Sequence, residues 1–322
     1  MKKILFSSLI ASSILFIGCS NKKNSDNTAV YKGKVDLAPM YKMIVYTGKW
    51  DGNESKLPTN YTFTDANGTY SLTSTKDETI YIKPISLTKV ISTKESFENP
   101  IAFGNNFLDK TFEAYTKNTN AFIYASSERM DILNKASSNQ LQTYYKVNSI
   151  NELKEKIESN NLEVLRYKEI RDIQNYIFKR LLLSINHNTN NKDISKNAQI
   201  ALTTSIIENN LSINDANDIK NLALASLSLY NNLSNPEYQI TGNKKTELAN
   251  YYSIITKPII DSILSESNTT KINRLFGKIV DSEFTAQIDA TANTIDTNIT
   301  EAENSEDNNK LLYNALIQKY MQ

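Results

Sequence analysis

The chain reads as an α+β protein, a small antiparallel β-sandwich followed by a larger, all-α irregular helical bundle. Three observations predict this. Between Tyr31 and about Ile91 apolar residues alternate with period two. Further along, to the C-terminus, they recur at three- to five-residue steps instead. The chain holds only 8 Gly and 6 Pro in 322 residues, too few for a large all-β or low-complexity chain.

In the period-two region, Tyr41 to Thr47 is rich in β-formers. Tyr61 and Phe63 alternate with Thr62 and Thr64, and Tyr70 and Leu72 with Ser71 and Thr73. Ile80 and Ile82 share one face, with Tyr81 and Lys83 on the other. Asp65-Ala66-Asn67-Gly68 joins two of these runs, and its Gly supplies the positive φ of a tight hairpin.

The run Thr64-Asp65-Ala66-Asn67-Gly68-Thr69-Tyr70-Ser71-Leu72 resembles the signature hairpin of carboxypeptidase regulatory-like domains, which are small prealbumin-like β-sandwiches. Gly33-Lys34-Val35 is similar to that family's first strand, and Pro39-Met40 followed by Val45 to its second; Lys42 stands where the family usually has Gly. The resemblance covers about 60 residues. It implies a non-catalytic accessory domain for spacing, binding or assembly and transfers no active-site residue.

A mixed stretch with Asn99-Pro100 and Gly104-Asn105-Asn106 leads to the helical part. Ser149-Ile150-Asn151-Glu152 is a capping box, and Ser212-Ile213-Asn214-Asp215 a looser one. Leu162, Leu165, Ile170, Ile173, Ile177 and Leu181 form one helix stripe. Ile272, Phe276, Ile279, Phe284, Ile288, Ile295 and Ile299 form a similar one over a long segment. Pro258 should kink or restart the helix that contains it. His187–Asn191 and Asn231–Asn243 are polar breaks, so six to eight helices are expected.

The N-terminus carries an address. Lys2 and Lys3 are a basic n-region, Ile4 to Ile17 an uncharged h-region, and Gly18 precedes the chain's single cysteine, Cys19. Phe16-Ile17-Gly18-Cys19 resembles the lipobox of bacterial lipoproteins, with Phe where Leu is commonest. The resemblance implies cleavage before Cys19, a diacylglyceryl thioether on its sulfur and acylation of its amino group. Two or more chains make such anchoring stable. The h-region is shorter than the about 20 residues a spanning helix needs. Expected boundaries are therefore 1–18 signal peptide, 19–29 lipidated tether, 30–92 sandwich, 93–125 mixed linker and 126–322 helical domain, and a fragment beginning near Ser92 is expected to fold on its own as a helical protein.

Composition excludes several functions. Removing Lys2 and Lys3 takes the formal charge from +1 to −1, so no net basic surface favours nucleic acid. With Cys19 lipidated, no thiol remains for a disulfide or a thiolate metal site. Eight scattered glycines build no phosphate-cradling loop, and there is no Gly-x-Ser-x-Gly elbow and no EF-hand loop. His187, the only histidine, has no orienting carboxylate beside it in sequence and reads as an exposed loop residue. Glu152 with Glu155, and Asp215 with Asp218, stand at helix starts, where acids favour the dipole. The pairs Tyr144-Tyr145 and Tyr251-Tyr252 read as core and rim. No catalytic residue, metal site or cofactor is implied.

Two signals concern recognition. Trp50, the sole tryptophan, sits in Gly48-Lys49-Trp50-Asp51-Gly52 between two strand runs. A loop Trp either stacks on a sugar or protein partner or folds over the edge of its own sandwich. Five Asn-x-Ser/Thr sites carry an acid two residues upstream, at Asn53, Asn67, Asn210, Asn268 and Asn298, against about one expected from composition. The Asn67 site is equally explained by its hairpin, and Asn298 falls in a helical stretch, which leaves Asn53, Asn210 and Asn268 as acceptor candidates.

The resulting expectation is an envelope-anchored lipoprotein with a non-catalytic binding or scaffolding role, held at the outer membrane and facing the periplasm. Its partners would be the membrane, through lipid on Cys19, and an envelope protein or glycan. A surface-exposed adhesin and an unrecognised envelope enzyme are the alternatives.

Overall fold

The computed structural model describes residues 27–36, 40–90, 112–209, 211, 213–280 and 283–322. Cys19, the signal segment and Asn210 lie outside them.

Nine strands come first among the described residues: β1 (Thr28–Val35), β2 (Met40–Tyr41), β3 (Ile44–Thr47), β4 (Tyr61–Phe63), β5 (Thr69–Thr75), β6 (Ile80–Lys83), β7 (Lys89–Val90), β8 (Ala114–Thr116) and β9 (Asn120–Ile123). They form sheets ordered β5-β1-β9 and β4-β3-β6-β8, with β2-β7 as a separate pair. All pairings are antiparallel except β1 with β9, which is parallel. Eleven α-helices follow among the described residues: α1 (Ser127–Leu133), α2 (Ser138–Tyr145), α3 (Ile150–Glu158), α4 (Leu162–Ile185), α5 (Lys192–Asn209), α6 (Ala216–Leu233), α7 (Gly242–Ser265), α8 (Thr269–Val280), α9 (Glu283–Thr297), α10 (Ile299–Asn304) and α11 (Glu306–Met321). None is long and apolar enough to cross a membrane. The α+β class with sheets first and helices after is as expected.

Alternation does what period two requires. In β5, Tyr70, Leu72 and Ser74 are buried while the residues between them are exposed; in β6, Ile80 and Ile82 are buried. β3 is buried at all four positions because both faces of its sheet are covered. Val45 joins the main core, and Ile44 and Tyr46 join a second cluster with Ile85, Trp50, Leu57, Phe63 and Tyr81.

Four expectations need correction. The Asp65–Gly68 turn forms, with Gly68 at φ +74° and the Asp65 carboxylate accepting from the backbone N–H of Asn67 and Thr69. Yet it joins β4 and β5, which belong to different sheets, so it is a corner between sheets rather than a hairpin. The tether is shorter than 19–29, because Thr28 and Ala29 already pair with Thr75 and Ser74. The stretch 93–125 is more than a linker, since β8 and β9 complete the two sheets. Finally, the helical part is not a separate core. Tyr31, Leu72, Ile80 and Ile82 share one continuous apolar cluster with Leu133, Ile177, Leu202 and Ile259.

Among the helices, Ser149 accepts from the Glu152 N–H as expected, and a full capping box forms at Ser137 with Gln140, which the sequence reading missed. The cap of α6 is Asp215, which accepts from Asn217 and Asp218 N–H; Ser212 lies outside the described residues. The C-terminal stripe is divided among α8, α9 and α10, which takes the helix count among the described residues past six to eight, even though α7 runs through Pro258 without ending. Lys42, at φ +60°, adopts the left-handed conformation for which glycine is better suited.

Helix α4 is the axis of the molecule. Its apolar stripe is buried, but so are Lys168, Glu169, Arg171, Asp172 and Lys179. Asp172 lies 2.8 Å from Arg129 of α1 and 3.1 Å from Lys168. Burial alone would lower the Lys168 ammonium, but Asp172, Asp36 and Glu169 outweigh it and hold it above its usual value. Asp36 follows β1 and is itself paired with Lys34 at 2.9 Å, so the network reaches from the helices to the sheets. Arg129 also donates to the Tyr145 hydroxyl at 3.1 Å, while Arg171 donates to the carbonyls of Thr143 and Tyr144 at the end of α2. Breaking one member of such a buried set costs about 3–5 kcal/mol, even where the set as a whole adds little stability.

Candidate functional site

Cross-strand register builds the most conspicuous surface feature. Tyr46 of β3 pairs with Tyr61 of β4 and with Tyr81 of β6, and Tyr81 pairs with Tyr115 of β8. Directly paired residues share a face. The four tyrosines therefore form one row across the four-stranded sheet, on the side turned away from the main core. Stacked rings of Tyr46 and Tyr81 lie 5.5 Å apart, and Trp50 meets Tyr46 edge-on at 5.3 Å. Lys83 Nζ sits 4.2 Å over the Trp50 ring.

The two ends of this row differ from its middle. Tyr46 is 3% exposed beneath Trp50, whereas Tyr61 is 39% and Tyr115 46% exposed. Burial, with Glu113 behind it, pushes the Tyr46 phenol up to about 12. At the β8 end the surface opens into a depression of about 450 Å3 lined by Thr79, Tyr81, Tyr115, Thr116 and Lys117. Ring faces, hydroxyls and one ammonium line it. Such a set can stack on and hydrogen-bond a ligand.

Trp50 is placed by its own loop. Its Nε1–H donates to the Asn53 carbonyl at 3.2 Å and to the Lys56 carbonyl at 3.0 Å, and its ring packs on Tyr46. Of the two readings of Trp50, the fold over its own sheet is the one observed. The tyrosine row was missed because its members are spread from position 61 to 46, 81 and 115, with no local spacing to reveal them.

The acceptor candidates are scattered. Asn53 is exposed, and its Oδ1 accepts from the Ser55 N–H at 3.0 Å. Asn268 is exposed and accepts from the Thr270 N–H at 2.9 Å just before α8. Asn298, expected inside a helix, instead caps α10 by accepting from the Glu301 N–H. Glu152 and Asp215 serve helix starts as expected.

A second cleft, about 530 Å3, is lined by His187, Glu237, Thr241, Lys244 and Asp296 among others. His187, for which sequence offered no carboxylate, stands 3.0 Å from Asp296, 109 positions away. Asp296 is also 2.5 Å from Lys244, and that ammonium, with His187 behind it, holds the carboxyl below its usual range. With its charge already answered by Lys244, Asp296 ties the α4–α5 turn, the start of α7 and the end of α9 together. Among the described residues no cluster of His, Cys, Asp or Glu has the arrangement of a metal site.

No protein-family model, curated protein or solved structure matches this chain.

Proposed function

We propose that this chain is an envelope lipoprotein, anchored through lipid on Cys19, whose work is non-catalytic binding on the periplasmic face of the outer membrane. The binding half of the reading rests on the tyrosine row, open to solvent at its Tyr115 end beside a depression lined by hydroxyls. The anchor half is supported by the single cysteine standing directly after the h-region. Strand β1 begins at Thr28, which leaves eight residues between Cys19 and the first sheet. A flexible stretch of that length reaches roughly 15 Å, which holds the sheets close to the headgroups.

The anchor is tested with Cys19→Ser in the native host. Metabolic labelling with an alkyne fatty acid should mark the parent protein and leave the variant unlabelled, as a slower-migrating precursor. Equal labelling of the two would remove Cys19 as the anchor and with it this reading of the address.

A further inference from the structure

We propose that the depression at the Tyr81–Tyr115 end of the tyrosine row binds a neutral oligosaccharide, an inference that rests on the binding reading above and names its ligand class. The lining supplies two aromatic rings on adjacent strands, about 5 Å apart by strand spacing. Pyranose rings present apolar C–H faces that stack on such rings and hydroxyls around their rims. The hydroxyls of Thr79, Tyr81 and Tyr115 and the Lys117 ammonium provide donors and acceptors for those rims. The volume, about 450 Å3, lies within the range of small-ligand pockets, about 300–1,000 Å3.

Charge narrows the occupant. Glu128 and Asp131 act on Tyr115, adding to burial in raising its phenol, and oppose an anionic ligand; Glu113, which also acts on it, is paired with Lys192 at 3.1 Å. Lys117 in the lining opposes a cationic one. A neutral ligand avoids both penalties. Backbone geometry excludes a different occupant, an added peptide strand. The Tyr115 N–H on the outer edge of β8 already donates to Ser127 Oγ at 2.7 Å, and Ser127 N–H donates to the Glu113 carbonyl at 3.2 Å. The edge is capped by the start of α1, so recognition here must use ring faces and side chains.

Trp50 offers a built-in reporter, being the only tryptophan and in contact with Tyr46, which stacks on Tyr81. The full-length protein, in a detergent without a sugar headgroup, is titrated with hexasaccharides of glucose (α- and β-linked), mannose and N-acetylglucosamine. Trp50 fluorescence and calorimetry give the affinity. At least one of them should bind with Kd of about 1 mM or tighter. Tyr115→Ala should weaken that binding roughly 3- to 10-fold by loss of one ring contact. Tyr115→Phe, which keeps the ring, should retain most of it, and Leu311→Ala, on an exposed position of α11, all of it. Tyr115 is half-exposed, so its substitutions leave the core intact, which a circular dichroism melt verifies.

No binding by any of these sugars at about ten times that concentration overturns the proposal. So does a Tyr115→Ala protein that binds as the parent does. Sedimentation is run in parallel. Self-association abolished by Tyr115→Ala would make this face an interface between copies and also overturn the glycan assignment. Because lipid labelling is read separately, failure with sugars leaves the anchor reading standing, and failure of labelling leaves sugar binding measurable.

Discussion

Gly33 faces Tyr70 across the β1–β5 pair, and a Cβ on Gly33 would meet the Tyr70 ring at 2.5 Å. Tyr70 is buried, so its ring has little room to retreat. Gly33→Ala should therefore destabilise the protein by about 1–3 kcal/mol, the usual cost of overpacking, read as a lower urea midpoint with unchanged slope. The same contact carries a second expectation. The Tyr70 hydroxyl is buried with no hydrogen-bond partner among the described residues, and burial pushes it up to about 12. Removing an unsatisfied hydroxyl is close to neutral or stabilising. Tyr70→Phe should thus hold or raise the midpoint, and a clear loss would show that the hydroxyl has an unseen partner.

At the scale of one element, α4 shows what burial does to a charged helix. Glu169 accepts from the Phe276 N–H of α8 at 2.7 Å. Burial pushes its carboxyl up to about 8, against the lowering effect of Lys168 and of that hydrogen bond, with Asp172 adding to the rise. Below about pH 4.5 both folded and unfolded chains hold the proton, and the group leaves stability independent of pH. Between about 4.5 and 8 the unfolded chain has lost it while the folded one keeps it, so stability falls as pH rises through this window. Glu247, pushed up to about 7 by burial and by Glu306 and Glu303, acts with the same sign. Glu169→Gln keeps an acceptor for Phe276 but has no proton to lose. Urea midpoints at pH 5 and pH 8 should differ less in this variant than in the parent. An unchanged difference would mean that Glu169 is ionised in the fold.

Across the whole molecule, the continuous core makes sheets and helices one cooperative unit. Trp50 reports the β4-β3-β6-β8 sheet, and far-UV circular dichroism reports the helices. Their thermal transitions should coincide, as two-state unfolding requires. A fragment beginning near Ser92 keeps β8 and β9 but loses β1 and β6, the strands they pair with. It also exposes the apolar residues of the helices that meet the sheets. Such a fragment should melt without a cooperative transition; two separate transitions in the intact protein would restore the independent helical domain.

Short-range pattern alone carried the fold class, the strand faces of β5 and β6 and the Ser149 cap. Each depends on residues a few positions apart, and side-chain direction repeats every two residues in a strand and every 3.6 in a helix. What only the tertiary structure decided involves residues far apart. The Tyr61-Tyr46-Tyr81-Tyr115 row exists because three strand pairs fall into one register, which no single strand specifies. His187 meets Asp296 only because α4 and α9 pack side by side. The charged residues of α4 would cover a solvated face on an isolated helix, yet helices surround this one and bury them. The Asp65–Gly68 corner shows the same division. Local chemistry dictates the turn, while the choice between hairpin and crossing belongs to the two sheets that its strands must cover.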